Sequence, residues 1–100
     1  MDSFDPGSYK SLFIKNAVSY LDRLETLLKA GEKDLIEIRR LFHNVKGQSL
    51  FMGYQSIGDL CLKGEKIAAD RLKNNSLLQV NENTELLKIV ELALSELKKI

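Results

Sequence analysis

Apolar residues recur at alternating spacings of three and four along most of the chain, the period of a helix with one buried face. From about Ser8 to Ala30 the stripe is Tyr9, Phe13, Ala17, Tyr20, Leu24 and Leu27, widened by Leu12, Leu21 and Leu28. Lys10, Lys15, Asp22, Arg23 and Lys29 fall largely on the other faces, and Gly31 is a natural stop. A second helix runs from Lys33 or Asp34 to Phe51 on Leu35, Ile38, Phe42, Val45, Ser49 and Met52. Gly53 ends it, and the connection to the next stripe is too short for anything but a tight turn. The third helix, about Gln55 to Lys73, therefore packs back antiparallel, with Ile57, Leu60, Cys61, Gly64, Ile67, Ala68 and Leu72 inward. Gly58 and Gly64 each cost this helix about 0.8–1 kcal/mol relative to alanine, and close helix approach is a reason to keep them. Asn74-Asn75-Ser76 breaks it, and Leu77-Leu78-Gln79-Val80 reads as a short apolar piece pinned to the bundle. Asn81, Asn83 or Thr84 can cap a fourth helix with the stripe Leu86, Val90, Ala93, Leu97 and Ile100. No strand-like alternation and no internal repeat occurs. The expected fold is all-α, an up-down-up-down four-helix bundle.

The totals agree with one domain over residues 1–100, with residues 1–7 as a flexible tail. Apolar residues are 44% of the chain, enough for one core. The net charge of +1, with mixed signs, argues against nucleic acid as a partner, because binding a phosphate backbone takes a clustered basic face. No apolar run reaches the roughly 20 residues that cross a bilayer, so no membrane insertion is expected. The start, Met1-Asp2-Ser3-Phe4-Asp5-Pro6, lacks the basic and apolar regions of a signal peptide, and Cys61 has no second cysteine to pair with. These features favour the cytoplasm.

The chemistry concentrates on one face of the second helix. His43 is the only histidine; Lys46 follows it by three residues and Gly47 by four, so all three share a face. A single helix histidine is ordinarily a surface or edge residue, but three features here point further. Lys46 is placed to pair with an anion carried on the imidazole. Gly47 weakens the helix but leaves room for a second protein to approach the ring. Leu50 lies one turn further along the same line, which Arg39 and Arg40 begin. The third helix can add Glu65: His43 lies ten positions before Gly53 and Glu65 twelve after it, about 15 and 18 Å from the turn at 1.5 Å per residue. At that level Glu65 can accept a hydrogen bond from one imidazole nitrogen and leave the other as a nucleophile.

His43-Asn44-Val45-Lys46-Gly47-Gln48-Ser49 followed by Met52-Gly53 resembles the signature of histidine phosphotransfer (HPt) domains. Tyr9-Lys10-Ser11-Leu12-Phe13 with Tyr20-Leu21-Asp22-Arg23-Leu24 is similar to the first helix of the N-terminal phosphotransfer module of chemotaxis-type histidine kinases. The resemblance implies a four- or five-helix bundle whose histidine, here His43, takes a phosphoryl group from a histidine kinase ATP-binding domain. It then passes the group to an aspartate of a response-regulator receiver domain. The same resemblance implies that Glu65 orients the histidine. The accessory histidine of the chemotaxis subgroup is replaced by Leu62, and Gln48 stands where a small residue is usual, where it narrows the approach or contacts the partner.

The expected site is thus His43 as acceptor with Lys46, Glu65 and Gly47, and Gln48, Leu50, Arg39 and Arg40 as partner contacts. No cofactor is expected, since the chain has no Gly-x-x-x-x-Gly-Lys-[Ser/Thr] loop and no nucleotide-binding αβ unit. One histidine and one cysteine eighteen positions apart fall short of a metal ligand set, and no nucleophile–base pair suggests a hydrolase. The competing reading is an adaptor bundle that binds partners without phosphoryl chemistry.

Overall fold

The computed structural model describes residues 6–100, which fold as α1 (Pro6–Lys29), α2 (Leu35–Phe51), α3 (Gln55–Lys73) and α4 (Val80–Lys98), with no strand among the described residues. Each helix packs on two others, α1 on α2 and α4, and α3 on the same pair, so the four enclose one core in up-down-up-down order. Phe42, Leu21, Leu24, Leu28, Ile38, Leu41, Ile57 and Leu86 are its largest fully buried side chains.

The helix ends follow from local hydrogen bonding. Lys33 folds back so that its ammonium group donates to the carbonyls of Leu28 and Ala30, which the end of α1 leaves unpaired. Asp34 caps α2 by accepting from the Glu37 amide at 3.1 Å. Glu37 also receives Arg40 of its own helix and Arg23 of α1. Those two guanidinium groups, Arg40 first, hold its carboxyl at about 2. At the end of α2, Gly53 takes φ +87°. Its amide donates to Leu50 and that of Tyr54 to Ser49, at 3.1 and 2.8 Å, the paired bonds of a Schellman turn. The stop expected at Gly53 is therefore a left-handed residue that reverses the chain into α3 within three residues.

Several expectations shift. α1 starts at Pro6, so Gly7, expected in the tail, lies in its first turn; the tail before Pro6 lies outside the described residues. Tyr9 and Leu12 are half exposed instead of core, while Phe13, Ala17, Leu21, Leu24 and Leu28 carry the burial. α4 begins at Val80, and its cap is Gln79 instead of Asn81, Asn83 or Thr84. The reason is Glu82: it closes a capping box with Gln79 and is gripped by Arg71 at the end of α3, which fixes the first turn early. Of the apolar piece before α4, Leu78 packs on the core, whereas Leu77 and Val80 are more than 80% exposed. Cys61 is fully buried on α3, where loss of hydration pushes its thiol up to about 12.

Candidate functional site

α2 presents the histidine because of what stands before it. Leu41 and Phe42 are fully buried, so the next 100° of helix turn brings His43 to the rim, with its side chain 57% exposed. α3 comes close on the same level because Gly64 has no side chain. A β-carbon at position 64 would sit 2.7–2.8 Å from the Phe42 ring, inside contact distance. Gly58 plays the same part nearer the turn, beneath the Leu50 side chain. Both inward glycines of α3 therefore buy proximity to α2.

That proximity lets Glu65 reach across. One carboxylate oxygen lies 2.7 Å from Nδ1 of His43 and the other 2.7 Å from Nζ of Lys46. Glu65 itself is buried, 8% exposed. Burial alone would raise its carboxyl, but the hydrogen bonds from Lys46 and then from His43 outweigh burial and hold it below its ordinary value. An ionised carboxylate only accepts, so Nδ1 donates to it, and in the neutral imidazole the lone pair then lies on Nε2. Nε2 has no hydrogen-bond partner among the described residues. In the neutral ring the hydrogen bond thus selects one tautomer, on a side chain that is more than half exposed.

The other expected residues are distributed around this core of three. A β-carbon at Gly47 would meet nothing within 4 Å, so the space beside the ring is open. Leu50 is 41% exposed and doubles as the cover over Gly58. Arg39 is exposed, and Arg40, also exposed, is held by Glu37. Gln48 is half-buried, and its side-chain oxygen is enclosed without a hydrogen-bond donor among the described residues. Leu62, in the place where the resemblance has an accessory histidine, is half-buried.

Two features go beyond what the sequence suggested. Lys46 is tied to Glu65 and is only 20% exposed, so it is not a free cation awaiting a phosphate. Its position three residues after His43 was the available signal, since one acceptor can then serve both. The second is an apolar groove of about 280 Å³ between α1 and the end of α2, walled by Tyr9, Leu12, Phe51 and Met52 and reaching Gly47 and Gln48.

Among the described residues no three His, Cys, Asp or Glu side chains gather as metal ligands, and no helix is long and apolar enough to cross a membrane. Comparisons with curated proteins and with solved structures each gave no significant match. The family model of the Hpt domain matches residues 8–99, a span that holds nearly all of the four helices' packed stripes and every residue of the site. With nearly the whole chain covered, and a buried carboxylate fixing an outward-facing histidine on an all-helical bundle, the chain belongs to the Hpt domain family, the phosphotransfer modules of two-component signalling.

Proposed function

We propose that this domain carries a phosphoryl group on Nε2 of His43, taking it from a histidine kinase ATP-binding domain and giving it to an aspartate of a receiver domain. The observation that supports this most is the Glu65–His43 hydrogen bond of 2.7 Å, which leaves Nε2 as the outward lone pair. In the first step the Nε2 lone pair forms the N–P bond as the bridging oxygen leaves with ADP. The ring gains positive charge, and Glu65 stabilises it through Nδ1–H. In the second step an aspartate oxygen bonds to phosphorus and the N–P electron pair returns to Nε2. Both steps depend on position and on neutralising charge more than on covalent help from the carrier, so few residues suffice. Lys46 lies one helical turn from the ring, and a phosphoryl group there offers it a second anion besides Glu65.

Gly47 gives the incoming protein clearance, and Arg39, Arg40, Gln48 and Leu50 flank the ring as its contacts. The first-helix sequence from Tyr9 to Leu24 and the carboxylate at Glu65 favour the N-terminal module of a chemotaxis-type kinase over other settings. A donor that draws on cellular ATP places the domain in the cytoplasm.

Incubation with the kinase domain and γ-labelled ATP tests the proposal. Label should appear that is lost in acid, survives alkali and is absent from His43→Gln. Label retained in His43→Gln, or label stable to acid, would mean a different acceptor and would overturn it.

A further inference from the structure

A phosphoryl group on Nε2 of His43 brings about two negative charges to a ring whose Nδ1 already faces the carboxylate of Glu65. The cations near it are not equivalent. Lys46 is 20% exposed and its ammonium group bonds the other Glu65 oxygen, so whatever it gives a phosphate it must share. Arg40 is held by Glu37 through Nε and a terminal nitrogen, both at 2.7 Å. Arg39 of α2 and Lys66 of α3 are exposed and make no hydrogen bond or ion pair among the described residues.

Helix geometry separates these last two. Four residues turn about 400°, so Arg39 stands within about 40° of His43 on the surface of α2, one turn toward the helix start. Arg40, three residues before His43, and Lys46, three after, each stand about 60° off. Residues four apart on a helix have β-carbons about 5–6 Å apart. Helix side chains lean toward the start of their own helix, so the imidazole extends over the turn that Arg39 begins. A phosphoryl group on its outer nitrogen is then the long arm of an i, i+4 pair with Arg39. Lys66 follows Glu65, which points at α2, by about 100°, and is turned to the outer side of α3. The guanidinium fork of Arg39 also matches phosphate, since two of its N–H groups can donate in parallel to two oxygens.

Resting on the carrier reading above, we propose that Arg39 is a catalytic residue of this domain: its guanidinium group bonds the phosphoryl oxygens on Nε2 of His43 and neutralises their charge. Lys46 serves Glu65 first and the phosphate second. Arg39 is thereby more than a contact for the incoming protein, because it touches the group being transferred and does so with no partner present.

Potassium phosphoramidate tests this without a partner protein, so lost docking cannot account for a change. The Nε2 lone pair bonds phosphorus, the P–N bond of the reagent breaks, and ammonia leaves with that electron pair. Arg39→Gln should form phosphohistidine about tenfold more slowly than the unaltered domain, at an unchanged melting temperature. Arg39→Lys should recover part of the rate, and Lys66→Gln should match the unaltered domain. The phosphorus NMR signal of the phosphorylated domain should titrate at higher pH in Arg39→Gln, because a cation bonded to the oxygens favours their dianion. An unchanged rate or an unmoved titration in Arg39→Gln overturns the proposal. So does equal slowing in Lys66→Gln, which marks the general field of the surface, or slowing with a lower melting temperature, which marks a structural role. If the unaltered domain forms no phosphohistidine, the carrier reading fails and this proposal with it.

Discussion

Gly64→Ala should lower the stability of the domain by about 1–2 kcal/mol, although alanine is the better helix former by about 0.8–1 kcal/mol. The added methyl group would lie 2.7–2.8 Å from three atoms of the Phe42 ring, which is fully buried and cannot swing into solvent. Overpacking of this kind costs about 1–3 kcal/mol, and the upper end applies where the obstacle is a ring locked in a core. For a domain of this size the net loss corresponds to a melting temperature lower by about 5–15 °C. Function should fall as well, because Phe42 precedes His43 and Gly64 precedes Glu65: helices forced apart here stretch the hydrogen bond between the next two residues. Phe42→Leu in the Gly64→Ala background makes room for the methyl group and should recover part of both losses. The coupling between the two changes should exceed about 1 kcal/mol, the range for residues in contact. Additive losses would show that Gly64 is kept for some reason other than clearance.

Glu65→Gln should leave a folded bundle that phosphorylates about 10–100 times more slowly at His43. Two donors, Nδ1–H and the Lys46 ammonium, face the two oxygens of Glu65. An amide offers one oxygen and one NH2 group, so with the oxygen on Lys46 the NH2 group faces Nδ1, which accepts from it only if the ring proton moves to Nε2. A hydrogen bond to a charged group is worth about 1.5–3 kcal/mol, and each 1.4 kcal/mol is a factor of ten in rate. Initial rates of His43 labelling measure this. Acid titration gives a second reading. The Glu65 carboxyl in the folded domain is held below its ordinary 4.5, so its contribution to stability is present above pH 4.5 and is lost as pH falls through the lower folded value. The difference in melting temperature between the unaltered domain and Glu65→Gln should therefore narrow below pH 4.5. A difference constant from pH 7 to pH 3 would place the carboxylate outside the balance of folding.

The helices were legible because their stripes are long and regular, and the hairpin arithmetic from Gly53 brought Glu65 to the level of His43 without any coordinates. Three things were hidden for physical reasons. Tyr9 and Leu12 keep helical phase with Phe13 but flank an open groove, and periodicity reports the face of a residue, not whether another helix covers it. The α4 cap was misplaced because propensity favours Asn and Thr, while a bond from another helix, Arg71 to Glu82, fixed the start at Gln79. The Lys46–Glu65 pair was missed because each residue was matched separately with the imidazole. Once one carboxylate lies near both donors, burial makes it take both.

Cys61 gives the domain a gauge of its own integrity. It lies on α3 between Gly58 and Gly64, two points where that helix comes close against α2 side chains, and its thiol is both sealed and held near 12. An alkylating reagent at neutral pH therefore modifies it only in molecules whose bundle has opened around α3. The speed of modification counts those openings one by one, on the helix that also carries Glu65 to His43. The chain needs no added dye or tag for this: its single sulfhydryl times how long the packing around it holds.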